Sequence, residues 1–374
     1  MADIKRAVLF LDDAEASRQH LDKPLMLQEL LFCPVLAWMM QSLREKGVEQ
    51  FLLFCPHNEK EAAENAVDSM EQVKISDSRE DLLTFLRGKE RVMIVPGAAI
   101  PVDHAEQNEV YAAPGEDLIT SLIENSEEVA NAETVPGFTS INSFQELYRA
   151  QYTARCQILS NLINHGVDVM DPNNTYIDPR VKVGDGTVIL PGSILRGKTV
   201  IGEECEIGPN SMITNCTVGD HSVVNASQIN DSTVGSRTNI GPFAYVRPGC
   251  CIGDDIKVGD FVEVKNSTLG NGTKISHLTY VGDSDVGEQV NFGCGTVTVN
   301  FDGKDKHRCT IGDHVFLGCN TNLVAPVKVG DGAYTAAGST ITDEVPAGDL
   351  GIARARQSNL AGWAKKRRKD GRLR

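Results

Sequence analysis

An α/β layer, a long helix and an all-β solenoid follow one another along this chain, and three observations predict them. Short apolar runs alternate with helical segments over the first 120 residues. A capping signature opens a helical stretch at Ser143, and Gly166 closes it. From about residue 175 the sequence is periodic in sixes.

Within residues 1–120, "RAVLFL" and "EQFLLFC" read as buried strands, "PVLAWMMQSLREKG" as a helix and "RVMIVPG" as a further strand. Strands alternating with helices point to a small parallel sheet. Residues 121–141 hold "ENSEEVANAET" and read as an acidic linker. In 142–166, Ser143 followed three residues later by Glu146 is a capping-box signature. Phe144, Leu147, Tyr148, Tyr152, Cys156, Leu159 and Leu162 then fall at helical spacing, and Gly166 supplies the stop. This predicts one connecting helix of about six turns.

The repeats fill 167–354. In frame they read IDPRVK, VGDGTV, ILPGSI, then IGEECE, IGPNSM, then VGSRTN, IGPFAY, VRPGCC, IGDDIK, VGDFVE, and later IGDHVF, LGCNTN, LVAPVK, VGDGAY, TAAGST. An aliphatic residue opens nearly every unit, and a small or β-branched residue sits near its fifth place. A period of six with this content predicts a parallel β-helix, about three units to a coil. The opening residue points into the axis, and the glycines serve corners that need positive φ or close backbone approach. They are corners, not phosphate cradles. The main break in the pattern is "TVNFDGKDKHRCT", residues 298–310.

Bulk properties narrow the function. A formal charge of −15 argues against general nucleic-acid binding, and any anionic substrate must then be held by locally clustered Lys and Arg. The opening "MADIKRAVLFLDDAE" breaks its apolar run with charges and is not expected to be a signal peptide. No apolar run approaches the roughly 20 residues of a membrane span. The ten cysteines are scattered and form no CxxC pair, so buried reduced thiols in a cytoplasmic protein are expected rather than a disulfide framework or a zinc site.

From about residue 142 onward, "YVRPG", "VGDFVEVKNSTLG", "SHLTYVGDSDVGEQVNFGCGTVTVNFDG", "VFLGCNTNLVAPVKVGDGAYTAAGSTIT" and "IARARQ" occur in one order at constant spacing. In these segments the chain resembles the acetyltransferase half of the bifunctional family that makes UDP-N-acetylglucosamine. The resemblance implies a nucleotidyltransferase-like α/β domain, a linking helix and a left-handed parallel β-helix. It also implies a homotrimer with sites where solenoids meet, and glucosamine 1-phosphate and acetyl-CoA as substrates. No nucleic acid or membrane insertion is expected from charge and hydropathy, and no metal is expected to be required for acetyl transfer. Carried over by residue, His277 is the catalytic base. Arg247, Lys265, Tyr280, Asn291 and Lys306 hold the sugar phosphate. Asn300 and Phe301 lie at the rim of the acetyl-CoA site, and Cys294, Cys319, Ala337 and Arg354 lie along its track. Phe301 lacks the hydroxyl of the family's usual tyrosine, and Cys319 replaces a common serine.

These residue types suit the chemistry. An amino-sugar nitrogen, taken as close to an α-amino group of pKa about 8, must shed a proton to attack a thioester. Histidine is the side chain best matched to receive it. A backbone N–H in the "GCGT" turn, that of Cys294, is a candidate oxyanion donor. A ping-pong route through Cys294 is the alternative, but direct attack needs no acyl-enzyme. A sugar 1-phosphate calls for a cationic cluster such as Arg247, Lys265 and Lys306, which would otherwise be surface charges on a solenoid edge. For the basic tail 355–374, "GWAKKRRKDGRLR", two readings stand: contact with coenzyme phosphates, or a solubilising end.

The amino-terminal domain departs from the family. Its nucleotidyltransferase loop is "LAAGxGTRMxSxxPK", whereas the stretch here, "VLFLDDAEASRQHLDKPLM", has no glycine and carries acidic residues where phosphates would approach. The "GD" expected after a later strand is missing from "VMIVPGAAIPV", with Asp103 the only displaced metal ligand to weigh. The region reads as a short, degenerate remnant without uridyltransferase activity.

Overall fold

The computed structural model describes residues 4–11, 23–67, 72–102, 107–370 and 372. Asp103 and the whole stretch "DDAEASRQHLD", residues 12–22, lie outside them. The chain forms two compact units, Met1–Ala226 and Ser227–Arg374, so the division falls within the repeats.

In the first unit a six-stranded sheet runs in the order Val73–Ser76, Gln50–Phe54, Arg6–Phe10, Arg91–Val95, Tyr111–Pro114, Glu133–Thr134. The first four strands are parallel, as expected. Tyr111–Pro114 and Glu133–Thr134 are antiparallel additions. The central strands are apolar almost without interruption because both faces are covered. Ala7, Leu9, Phe51 and Leu53 face a core with helix Val35–Glu45, while Val8, Leu52, Val92 and Ile94 pack with Leu82, Leu86 and Leu118.

Two expectations need correction here. Residues 121–141 are no free linker. They include the end of helix Gly115–Glu124, the sheet strand Glu133–Thr134, and Phe138–Ser140 paired with Ala99–Pro101. Their acidic side chains face solvent while Val135 and Phe138 are buried. The helix Phe144–Asn164 forms as expected, with Ser143 Oγ accepting from Glu146 N at 3.1 Å and Gly166 at φ +84°. Its buried face, however, is Leu147, Ala150, Ala154 and Leu159. Tyr148 and Tyr152 are 72% and 62% exposed, and Phe144 is also exposed, because alanines allow the close approach to the α/β core that tyrosines would block.

The repeats wind into three parallel sheets. In the second unit one sheet runs Asn239–Ile240, Lys257–Asp260, Lys274–His277, Asn291–Phe292, Phe316–Leu317, Tyr334–Thr335, Leu350–Gly351. The next holds Tyr245–Val246, Glu263–Lys265, Tyr280–Gly282, Val297–Val299 and Asn322–Val324 among its strands, and the third includes Thr268–Leu269, Ser284–Val286 and Cys309–Ile311. The hexad-opening Ile240, Val246, Ile252, Val258, Ile311, Leu317, Leu323 and Val329 are all buried, as the period requires. Fifth-place hydroxyls satisfy corner carbonyls: Thr238 Oγ1 donates to Gly253 O at 2.9 Å. Gly259 is fixed by close approach, since a Cβ there would collide with the Ser276 carbonyl on the next coil.

Residues 298–310 are the break in the repeat. The contact Glu288 N to Asp313 Oδ1 spans 25 residues, where equivalent contacts at Asp254–Asn271 and Asp313–Asp331 span 17 and 18. The extra residues make a tight excursion closed by a Phe301–Lys306 bridge.

Candidate functional site

One corner of the second unit carries a column of related positions. Asp260 pairs in register with His277, and the registers Ile275–Phe292, Phe292–Leu317 and Leu317–Thr335 carry the same corner through Cys294, Cys319 and Ala337. Backbone bonds Leu278 N to Asp260 O, Asn320 N to Cys294 O and Gly338 N to Cys319 O confirm the stacking. His277 therefore lies at the foot of a strip of small side chains. Its own side chain is 56% exposed and points away from the aliphatic core.

The ring is oriented. His277 Nδ1 lies 2.6 Å from Asp260 Oδ1, and that hydrogen bond holds the Asp260 carboxyl below the ordinary carboxylate range. With Asp260 ionised, the proton sits on Nδ1 and Nε2 is the basic nitrogen. If His277 is the base that the sequence leads one to expect, Asp260→Asn lowers kcat by more than about tenfold, because the amide no longer fixes this tautomer. Steady-state kinetics check it, and an unchanged kcat counts against the pairing.

The cationic residues assemble on the neighbouring sheet. Glu263 and Lys265 pair in register with Tyr280 and Gly282, and Arg247 Nη1 reaches Glu263 Oε1 at 2.9 Å. A Cβ at Gly282 would collide with the Tyr280 hydroxyl, so that glycine makes room for the ring. Asp283 is the hub. Its side chain is only 7% exposed and lies 3.7 Å from Lys265 Nζ, while Asn266 and Asn300 donate their amides to it. Burial alone would raise the Asp283 carboxyl, but these amides and the charges of Lys265 and Lys306 hold it below the ordinary range.

The excursion delivers Lys306. Asp302 accepts from Lys304 N, Asp305 N and His307 Nε2 at 2.8, 2.7 and 2.8 Å, and Arg308 grips Asp285. Lys306 then sits beside Lys265, whose close amino group and charge hold Lys306 below the ordinary lysine value. Lys265, beside Lys306 and the Asp283 carboxylate, keeps its proton more firmly. Two crowded ammonium groups are relieved by an anion between them.

The structure thus brings Arg247, Lys265, Tyr280 and Lys306 together and adds Asn300, whose amide is 3.4 Å from the Tyr280 hydroxyl. Asn300, expected at the coenzyme rim, makes its contacts within this cluster. Phe301 is exposed beside Lys306 on the excursion. Arg354 lies by Gly338, next to Ala337 on the small-residue strip. Asn291 is set apart, on the sheet of His277 between Lys274 and Phe316. The strip and Arg354 suit an extended arm ending in phosphates. Among the described residues no three His, Cys, Asp or Glu side chains are grouped to hold a metal. Sequence reasoning missed Asp260, Glu263 and Asp283; a step of one coil, 17 residues back from His277 or Asn300, leads to the first and last.

Two family profiles match the chain: "GMPPB C-terminal domain" over residues 172–255 and "Bacterial transferase hexapeptide (six repeats)" over 308–343. The bifunctional protein GlmU of Clostridium kluyveri is 52% identical over 227 residues, 61% of this chain and 50% of that protein. That of Caldanaerobacter subterraneus is 50% identical over 245 residues, 66% of this chain and 53% of its own. Over the matched span the chain is similar to GlmU proteins. It spans about half the length of the GlmU proteins it matches. Its repeats form the left-handed parallel β-helix of hexapeptide proteins. A solved Arabidopsis UDP-N-acetylglucosamine acyltransferase is 19% identical, covering 56% of this chain and 76% of its own, at a TM-score of 0.35, a likeness too loose to bear on function.

Proposed function

We propose that this GlmU-like chain transfers the acetyl group of acetyl-CoA to the amine of glucosamine 1-phosphate. The observation that carries this reading is the Asp260–His277 pair at the foot of the small-residue strip, one sheet away from the Lys265–Asp283–Lys306 cluster. Arg247, Lys265 and Lys306 hold the phosphate, with Tyr280 and Asn300 against the sugar. His277 Nε2 takes a proton from the amine as its nitrogen attacks the thioester carbonyl. The Cys294 N–H receives the developing oxyanion. As the C–S bond breaks, His277 returns the proton to the departing thiolate. In the proposed homotrimer, Asn291 of one copy completes the sugar site of another, which accounts for its place on a separate sheet. The amino-terminal domain transfers no uridylyl group in this reading, so UTP-dependent pyrophosphate release is expected to be absent.

Thiol release measured on glucosamine 1-phosphate, free glucosamine and a uridine-diphosphate amino sugar tests the substrate. The bare sugar phosphate is expected to give the highest kcat/KM. Preference for the nucleotide sugar would move the reading to a different acetyltransferase, and no release with any of them would leave a non-catalytic relative. Arg247→Ala removes one charge-assisted contact, so KM for the sugar phosphate should rise by roughly tenfold or more. An unchanged KM would take Arg247 out of the phosphate site.

A further inference from the structure

We propose that Cys294 and Cys319 are a thiol-oxidation site that closes reversibly into a disulfide between adjacent coils. Of the ten cysteines, Cys33, Cys55, Cys205, Cys216, Cys250 and Cys309 are buried. Burial pushes the Cys33 thiol up to about 12 and that of Cys309 up to about 11, which keeps them inert. Cys156 is exposed on the long helix, and exposed Cys251 has Thr233 and Thr268 as its ladder partners, so neither has a thiol in register. Cys294 and Cys319 differ: one is half-buried, the other exposed, and they occupy the same corner of successive coils.

The register Phe292–Leu317 and the 2.8 Å bond from Asn320 N to Cys294 O fix that relation. Neighbouring strands lie about 4.8 Å apart. That separation is inside the roughly 4.4–6.8 Å window of Cα distances that a disulfide spans. The residues above and below in the column, Ala337 and His277, hold no thiol, so the pair has one possible partner each. The excursion hides this neighbourhood in the sequence by separating the two cysteines by 25 positions rather than one ordinary coil.

Oxidised glutathione is the oxidant. The exposed Cys319 thiolate attacks one of its sulfurs, forming a mixed disulfide and releasing one glutathione thiolate. The Cys294 thiolate then attacks the Cys319 sulfur and releases the second. Two protein thiols lose two electrons and two protons, and one glutathione disulfide becomes two glutathione thiols. The functional consequence rests on the proposed acetyl-CoA track: a bridge across that strip slows transfer until it is reduced.

The full chain is incubated with oxidised glutathione, digested without reduction and analysed by mass spectrometry. The expected product is a cross-linked peptide pair carrying Cys294 and Cys319, short of two hydrogens and lost on dithiothreitol treatment. Cys319→Ser and Cys294→Ala should each abolish it. Glutathione adducts alone, or no modification of either thiol, overturn the proposal. Acetyl transfer, scored for each protein against its own reduced rate, should fall reversibly in the wild type and hold in Cys319→Ser. A bridge that forms without any loss of rate upholds the disulfide and refutes the placement of the coenzyme.

Discussion

His277→Ala is expected to lower acetyl transfer by roughly 10²–10⁴-fold while leaving the solenoid folded. The imidazole is outside the aliphatic core and 56% exposed, so its removal opens no cavity. Its neighbours Cys294 and Cys319 stay in register through backbone bonds that do not involve the ring. The loss should fall on kcat, since the cationic cluster proposed to hold the phosphate stands on a different sheet. Turnover numbers on glucosamine 1-phosphate, with thermal unfolding as the control, decide the matter. A near-normal kcat would remove His277 as the base.

Asp283→Ala should be the most damaging substitution for stability. The Asp283 carboxylate is nearly fully buried, accepts two amides and lies beside Lys265, whose side chain is only 18% exposed. Removing one member of such a buried pair costs about 3–5 kcal/mol, because the remaining charge and donors lose their partner. Asn266, Lys265 and Asn300 would be released together, so KM for the sugar phosphate should rise as well. The pH dependence has a definite sign. The folded-state value of Asp283 lies below its unfolded value of about 4, so its contribution is complete above that pH and disappears as pH falls through the folded value. Denaturant unfolding of wild type and Asp283→Ala should therefore differ most near neutrality and converge in acid. A gap that does not change with pH would show that the carboxylate charge is not what holds the cluster.

The parts of this structure legible in the sequence are those set by short periods. Ile240, Val246, Ile252 and Val258 announce the solenoid because an inward residue recurs every sixth place. Ser143 and Glu146 announce the helix because a cap is a local arrangement. What escaped depends on contacts one coil away. Asp260 lies beside His277, and Asn266, Asp283 and Asn300 line up at steps of 17, a relation that a six-residue frame conceals. The strand Glu133–Thr134 escaped for another reason: it joins the sheet by main-chain pairing while its side chains stay in solvent, so its composition reads as linker. On the helix, size misled. The tyrosines supplied the visible apolar period, yet Ala150 and Ala154 make the contact.

The most direct measurement supplies the purified full chain with acetyl-CoA and glucosamine 1-phosphate alone and follows both free thiol and the sugar product by mass. The account predicts one N-acetylated sugar phosphate for each coenzyme thiol released. Thiol release without acetylated sugar, or no release while the protein stays folded, would contradict it.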